Sequence, residues 1–257
     1  MRLGEMTGRI RHRILLNYRI DPAVAQRVLP PGFRPKVVDG AAVGGVCQVS
    51  LERMRPSGLP AAFGVSSHNA AHRIAVVLDG SDGPREGVYI PRRDTSSPIN
   101  ALAGGRLFPG IHRRARFSVE QQGDRFRVAI DEPAAAGGGG GGGGGHPSGR
   151  PIVRIDATLA DALAPGSLFP TVGDASRFFE GGALGWSPSG EPGRFDEIEL
   201  RTVGWRMQPL AVLEQSSAFF GDTALFPAGS VELDCALVMR DLEHSWLARA
   251  EVCTVCA

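Results

Sequence analysis

Apolar side chains recur at two-residue spacing along much of this chain, the period of strands that bury one face. Residues 9–20, RIRHRILLNYRI, alternate basic and apolar side chains in their first half, which predicts a strand with one wet face. Asp21 then opens a short helix as its N-cap, with Pro22 at the first helical position, and Pro30-Pro31 stops it. Residues 33–38 and 41–51 are strand-like and are joined by Asp39-Gly40, a dipeptide that favours a tight hairpin turn. A second hairpin is predicted from 71–78 and 85–91, and a third from 115–120 and 125–130. Further strands follow at 152–159, 198–203, 208–216 and 230–239, with short helices at 97–103 and 174–180 that end on paired glycines. Residues 55–67, rich in Pro, Gly and Ser, read as a loop.

Seven or more short strands with two or three minor helices predict a mainly β protein, α+β only in a minor sense, with a closed barrel or sandwich-like architecture. The glycine tract at 137–145 cannot pack and is costly to order. The chain has the same strand pattern on both sides of it. The expectation is therefore one domain over 1–257 with a flexible insertion at 133–150. A phosphate cradle would need a strand before the tract and a helix after it.

Composition narrows the partners. At 257 residues, 42% of them hydrophobic and 21% charged, the chain can bury a core without disulfides. A net charge of +1 supplies no general field toward nucleic acid or an anionic membrane. The basic run at 9–20 lacks the aromatic platform of a nucleic-acid arm, so neither nucleic acid nor membrane is expected as a partner. No apolar stretch is long enough for a membrane helix, and residues 1–8 lack a signal-peptide core. Four cysteines are too few and scattered for a disulfide framework. Cytoplasmic location is the expectation, and a homo-oligomer is left open. Of the 28 basic residues only Lys36 is a lysine; arginine clamps anions, whereas amine chemistry needs lysine. Cys253 and Cys256 have the spacing of a metal knuckle but no second ligand pair, and a frayed tail without metal is expected.

No hydrolase signature is present. Gly185-Trp-Ser187-Pro-Ser189 lacks the closing glycine of a nucleophile elbow. A dense polar band remains between Ser66 and Arg116. His68 and His72, four apart, fall on one side of a strand; a metal there would need a third ligand such as Glu86 or His112, and hydrogen-bonded structural histidines are the favoured alternative. Alternation along 85–93 places Glu86, Ile90 and Arg92 on one face and Arg85, Tyr89 and Arg93 on the other. Glu86 with Arg92 inside a barrel would pair a carboxylate with an anion clamp; an exposed salt-bridged face is the other reading. Gly104-Gly105 before Arg106 suggest backbone passing close to another group, with the guanidinium aimed at a carboxylate or carbonyl.

A family resemblance runs through Leu29-Pro-Pro-Gly32, Val38-Asp-Gly40, Gly87-Val-Tyr89 and Gly105-Arg106 with the following Phe108-Pro109. It continues through Phe178-Phe-Glu180, Pro192-Gly-Arg-Phe195, Trp205, Pro209-Leu210, Phe226-Pro-Ala-Gly229 and His244-Ser-Trp246. With these the chain resembles, over nearly its whole length, the YqjF-like uncharacterised proteins, which are grouped with the acetoacetate-decarboxylase-like superfamily. The resemblance implies a β-barrel-like fold with an internal cavity. In the decarboxylase proper, a lysine shortly after the Gly-Arg…Pro segment forms a Schiff base with a β-keto acid. The matching stretch here offers His112, Arg113 and Arg114 instead, and Lys36 is distant from it and expected to be exposed.

The functional expectation is a cavity for a small carboxylate or oxo-acid metabolite. Arg106, Glu86 and His112 are the catalytic candidates, and Arg106, Tyr89, Arg92, His68 and His72 are the substrate-binding ones. The chemistry would be of a lyase, hydratase or isomerase type without a covalent lysine, cofactor or metal. The alternative is a non-catalytic binding or sensing module.

Overall fold

Period-two patterning becomes strand over most of the chain in the computed structural model, which describes residues 4–80, 83–105, 109–133 and 149–254. In chain order the elements are β1 (Met6–Ile20), α1 (Pro22–Val28), β2 (Phe33–Pro35), β3 (Val37–Val38), β4 (Ala41–Pro56), β5 (Val65–Gly80) and β6 (Gly83–Thr95). Next come α2 (Pro98–Ala103), β7 (His112–Arg114), β8 (Arg116–Gln122), β9 (Arg125–Asp131), β10 (Pro151–Leu159) and α3 (Val172–Gly181). The last are β11 (Leu184–Pro188), β12 (Arg194–Thr202), β13 (Gln208–Ser217), β14 (Val231–Ala248) and β15 (Val252–Cys253). Among the described residues no helix is long and apolar enough to cross a membrane.

Local chemistry places the turns. The Asp21 carboxylate accepts from the backbone N–H groups of Ala23 and Val24, which satisfies donors that the first turn of α1 leaves open. Asp39 and Gly40 both take positive φ, 47° and 77°, as a two-residue hairpin turn matched to strand twist requires. Ser97 and Thr171 cap α2 and α3 in the same way as Asp21 caps α1.

The strands form one sheet in the order β15-β12-β11-β6-β5-β4-β1-β14-β13-β10-β9-β8, and an additional β12–β14 pairing closes β14-β1-β4-β5-β6-β11-β12 into a ring. Pairing is antiparallel except where β6 meets β7 and β11. The parity of β1 divides the core. Ile14 and Leu16 pack with Phe126, Ile130 and Ile155 from β9 and β10 on the outer face of the ring. Leu15, on the opposite face, joins Val43, Leu237, Met239 and Phe179 of α3 on the inner face. A third cluster, built on Phe33, Ile74, Trp186 and Phe195, lies around β2, β5 and β11.

Three expectations change. Strand β4 continues through Pro56, beyond the boundary read from the sequence, because its partner β5 begins at Val65 and pairs with Met54. Strand β11 carries no alternating pattern, since it is buried between distant β6 and β12, the next strand in the chain. The tail does not fray at Cys253, where β15 pairs with Arg194 and Phe195. Cys256 and most of the 133–150 insertion, including the glycine tract, lie outside the described residues.

Candidate active site in the ring interior

A cavity of about 360 Å³ opens on the inner face of the ring. Strand parity decides what lines it. On β5 the odd positions Ser67, Asn69, Ala71 and Arg73 face the cavity. On β6, Val88 and Ile90 do so, but two residues of β6 then oppose one of β5 in the register shift between His72 and Ile74. Such a bulge reverses parity, so Arg93 rather than Arg92 turns inward.

Three guanidiniums converge on this space. Arg73 is 4% exposed. Its side chain lies beside Gly45, which pairs with it in register and itself pairs with Asn17. Its Nη2 donates to Asn17 Oδ1 at 2.5 Å, and its guanidinium sits 4.9 Å from the Phe179 ring centroid. Arg13 donates from Nε to Cys47 Sγ at 3.2 Å, and Arg93 donates from Nε to Ser187 Oγ at 2.8 Å. Each keeps one buried nitrogen without a partner: Nη1 of Arg13, Nε of Arg73 and Nη2 of Arg93. Burial pushes Arg73 and Arg93 down to about 10, with Cys47 and, for Arg93, Asp196 acting in the opposite sense. Both stay charged at neutral pH. Among the described lining residues there is no Asp, Glu or Lys.

Such an arrangement is costly in isolation. A buried charge without a partner loses several kcal/mol of hydration, on the order that breaking a buried ion pair exposes. Planar guanidiniums with spare N–H donors match a carboxylate's two oxygens. These donors leave this end of the cavity with a positive field.

His112 lies beside the arginines. Its Nδ1 is 3.0 Å from the Gly110 carbonyl, which can only accept, so this nitrogen carries the proton and Nε2 keeps its lone pair. Burial and then the Arg93 charge push it down to about 4, and it is neutral at pH 7. Glycines permit the crowding. A Cβ on Gly104 would stand 2.7 Å from His112 Nδ1, and one on Gly110 would stand 2.9 Å from Arg93 Nε. The group that the Gly104 backbone passes is therefore His112.

The model of the DUF2071 family, described as uncharacterised conserved proteins, matches residues 7–148. The chain belongs to this family. No curated protein matches it. Among solved structures, this DUF2071 chain is similar to acetoacetate decarboxylase from Legionella pneumophila subsp. pneumophila str. Philadelphia 1, at 11% identity over 96% of this chain and 88% of that one, TM-score 0.63. It is also similar to the enduracididine biosynthesis enzyme MppR complexed with pyruvate, at 12% identity, 99% and 91% coverage and TM-score 0.59. A third is an acetoacetate decarboxylase-like enzyme from Sphingomonas wittichii RW1, at 14% identity, 98% and 93% coverage and TM-score 0.58. At such identities the likeness establishes the fold alone: the DUF2071 chain has an acetoacetate-decarboxylase-like fold.

The residues singled out from the sequence are placed unevenly on this fold. His112 lines the cavity. Arg106 lies outside the described residues. Glu86 does not reach the cavity; it is exposed and ion-paired with Lys36 at 2.6 Å. That pair borders a separate pocket of about 30 Å³, which Arg13 and Arg73 also line. Lys36 is only 22% exposed in its side chain, with Nζ 4.6 Å from the Phe178 ring centroid, so it is closer to the arginines than its place in a turn suggested. Tyr89 packs against Phe33 and Phe195 in the third cluster.

The bulge sends Arg92 outward, where it makes a bidentate pair with buried Asp94. His68 and His72 do share a face, as even spacing requires, but it is the face away from the cavity. His68 bonds Ser50 Oγ at 2.8 Å, and Ser50 also meets His12 Nε2 at 2.9 Å. His72 packs on Phe219 with Nδ1 3.9 Å from Asp94. Among the described residues no group of three His, Cys, Asp or Glu could hold a metal. Sequence reasoning missed Arg13, Cys47, Asn69 and Arg73. Arg73 had a visible signal: a charge leading directly into the apolar run Ile74–Leu78, at a depth where unpaired charges are rare.

Proposed function

We propose that the cavity binds a small carboxylate or oxo-acid metabolite of the cytoplasm and acts on it by acid/base chemistry without a Schiff-base lysine. The observation that carries this reading is the set of three guanidiniums, that of Arg73 buried and those of Arg13 and Arg93 half-buried, each with a buried unused N–H, facing a space whose described walls hold no acid. MppR, of the same fold, is complexed with pyruvate, which supports an oxo-acid as the class. Burial holds His112 low and the Arg93 charge adds to it; a bound carboxylate would offset that second part and so raise its basicity. Neutral Nε2 would then take a proton from the carbon beside the carbonyl. The C–H electron pair would move into an enolate, whose oxygen a guanidinium stabilises. Enolisation of this kind is a shared first step for lyase-, hydratase- and isomerase-type reactions.

The second reading is a binding or sensing module. The lack of a carboxylate among the described lining residues favours it, because His112 has no second acid/base group to work with. Calorimetric titration with pyruvate and acetoacetate separates the outcomes. Binding is expected in the wild-type protein, with at least tenfold loss in Arg73→Met, whereas undetectable or Arg73-independent binding contradicts the proposal. Proton exchange from bound pyruvate into D2O, lost in His112→Gln, supports catalysis; binding without exchange supports the module.

A further inference from the structure

The arginines occupy only one end of the cavity. Three neighbouring strands lead from it to the mouth in register: β1 from Arg13 through Ile10 to Met6, β4 from Cys47 through Leu51 to Met54, and β5 from Arg73 to Val65. Seven or eight residues at about 3.3 Å each make this path roughly 25 Å long. Beyond Cys47 and Asn69 the path is mostly apolar, with Ser67 and Asn100 as its polar positions. Ile198, Leu200 and Trp246 complete its wall from β12 and β14. At the mouth, Phe63, Val65 and Ile99 line the same cavity while 72%, 52% and 65% exposed. Large apolar side chains left in water along a continuous track mark a surface that something covers.

Size points the same way. The volume of about 360 Å³ falls in the range of about 300–1,000 Å³ that holds drug-sized ligands. Pyruvate would fill only the charged end and leave the apolar path wet.

We infer that the ligand is an amphipathic monocarboxylate: its head is held by Arg13, Arg73 and Arg93, and an extended apolar tail lies along the path toward Phe63, Val65 and Ile99. This inference rests on the anion-binding reading above and adds the tail. Water released from the wall would strengthen binding with each methylene that the tail adds, while the head contributes a constant part.

Calorimetric titration with butanoate, hexanoate, octanoate and decanoate, with pyruvate alongside, tests it. Affinity should rise about three- to fourfold per methylene, or on the order of a hundredfold from hexanoate to decanoate. The rise should be shallower in Phe63→Ser, an exposed position that the fold does not need. The whole series should weaken in Arg73→Met. If pyruvate binds in an Arg73-dependent way but affinity is flat or falls with chain length, the tail is wrong and the anion site stands. If the chain-length rise persists undiminished in Arg73→Met, the acids adsorb without using the head site and the inference is overturned. If no acid binds, pyruvate included, both readings fall.

Discussion

Arg73 Nη2 donates to Asn17 Oδ1 at 2.5 Å, joining β5 to β1 beside Gly45, the residue that pairs with both. Asn17 is fully buried, and its Nδ2 donates to the Leu15 carbonyl at 3.2 Å, which fixes Oδ1 toward the guanidinium. A neutral acceptor positions Arg73 without cancelling its charge. Asn17→Asp would place a carboxylate on the guanidinium and remove the excess charge that an anion needs. Pyruvate and decanoate affinity should fall at least tenfold while the thermal midpoint holds or rises. Unchanged affinity in Asn17→Asp would show that the Arg73 charge is not what holds the acid.

Arg13 gives the complementary case. Its Nε donates to a sulfur, a weak acceptor, and its Nη1 has no partner. Replacing it with Met removes a poorly compensated charge and leaves no strong acceptor unsatisfied. The lost stacking over Trp205, 5.7 Å from the ring centroid, costs about 0.5–1 kcal/mol. Arg13→Met should therefore keep its unfolding free energy within about 1 kcal/mol of wild type, or exceed it, while binding acids more weakly. A large loss of stability, read by urea unfolding, would mark Arg13 as structural instead.

Acid should destabilise the protein before its carboxylates titrate. Burial pushes His12 and His244 down to about 4 and His72 to about 3. In the unfolded chain imidazole titrates near 6.5. Below that pH the unfolded state takes up protons that the folded state refuses, so stability present at neutral pH is lost as pH falls from about 6.5 toward 4. Each of the three should cost about 2 kcal/mol by pH 5. Thermal midpoints measured from pH 7.5 to 5 should drop steeply, and His72→Phe should shallow the drop. A flat profile would contradict the burial of these rings.

How far the sequence could be read depended on whether a signal was local. Asp21-Pro22, Asp39-Gly40 and the third hairpin are set by neighbours in the chain, and they appear where the pattern puts them. The β6–β11 pairing and the closing β12–β14 pairing draw their energy from contacts across the fold, and a single strand carries no mark of its partner. Two causes moved the site: Glu86 has the parity of Val88 and Ile90 but lies past the end of the cavity, paired with Lys36, and one extra residue displaced Arg92. Alternation predicted Glu86 and Arg92 on the cavity face, but the extra residue in β6 turned Arg93 inward and left Arg92 to Asp94. A similar register shift between Ile10 and His12 on β1 lets Ile10 and Arg13 share the cavity despite their odd spacing. His112 needed no parity argument, because it stands in the short stretch after the Gly-Arg segment; the paired glycines, read as serving Arg106, pass His112 instead.

The most direct test is a crystal structure of the protein grown with octanoate. The carboxylate oxygens should lie within about 3.2 Å of nitrogens on at least two of Arg13, Arg73 and Arg93, with the tail running toward Val65. A carboxylate bound elsewhere, or a cavity holding only water at saturating acid, would contradict the account.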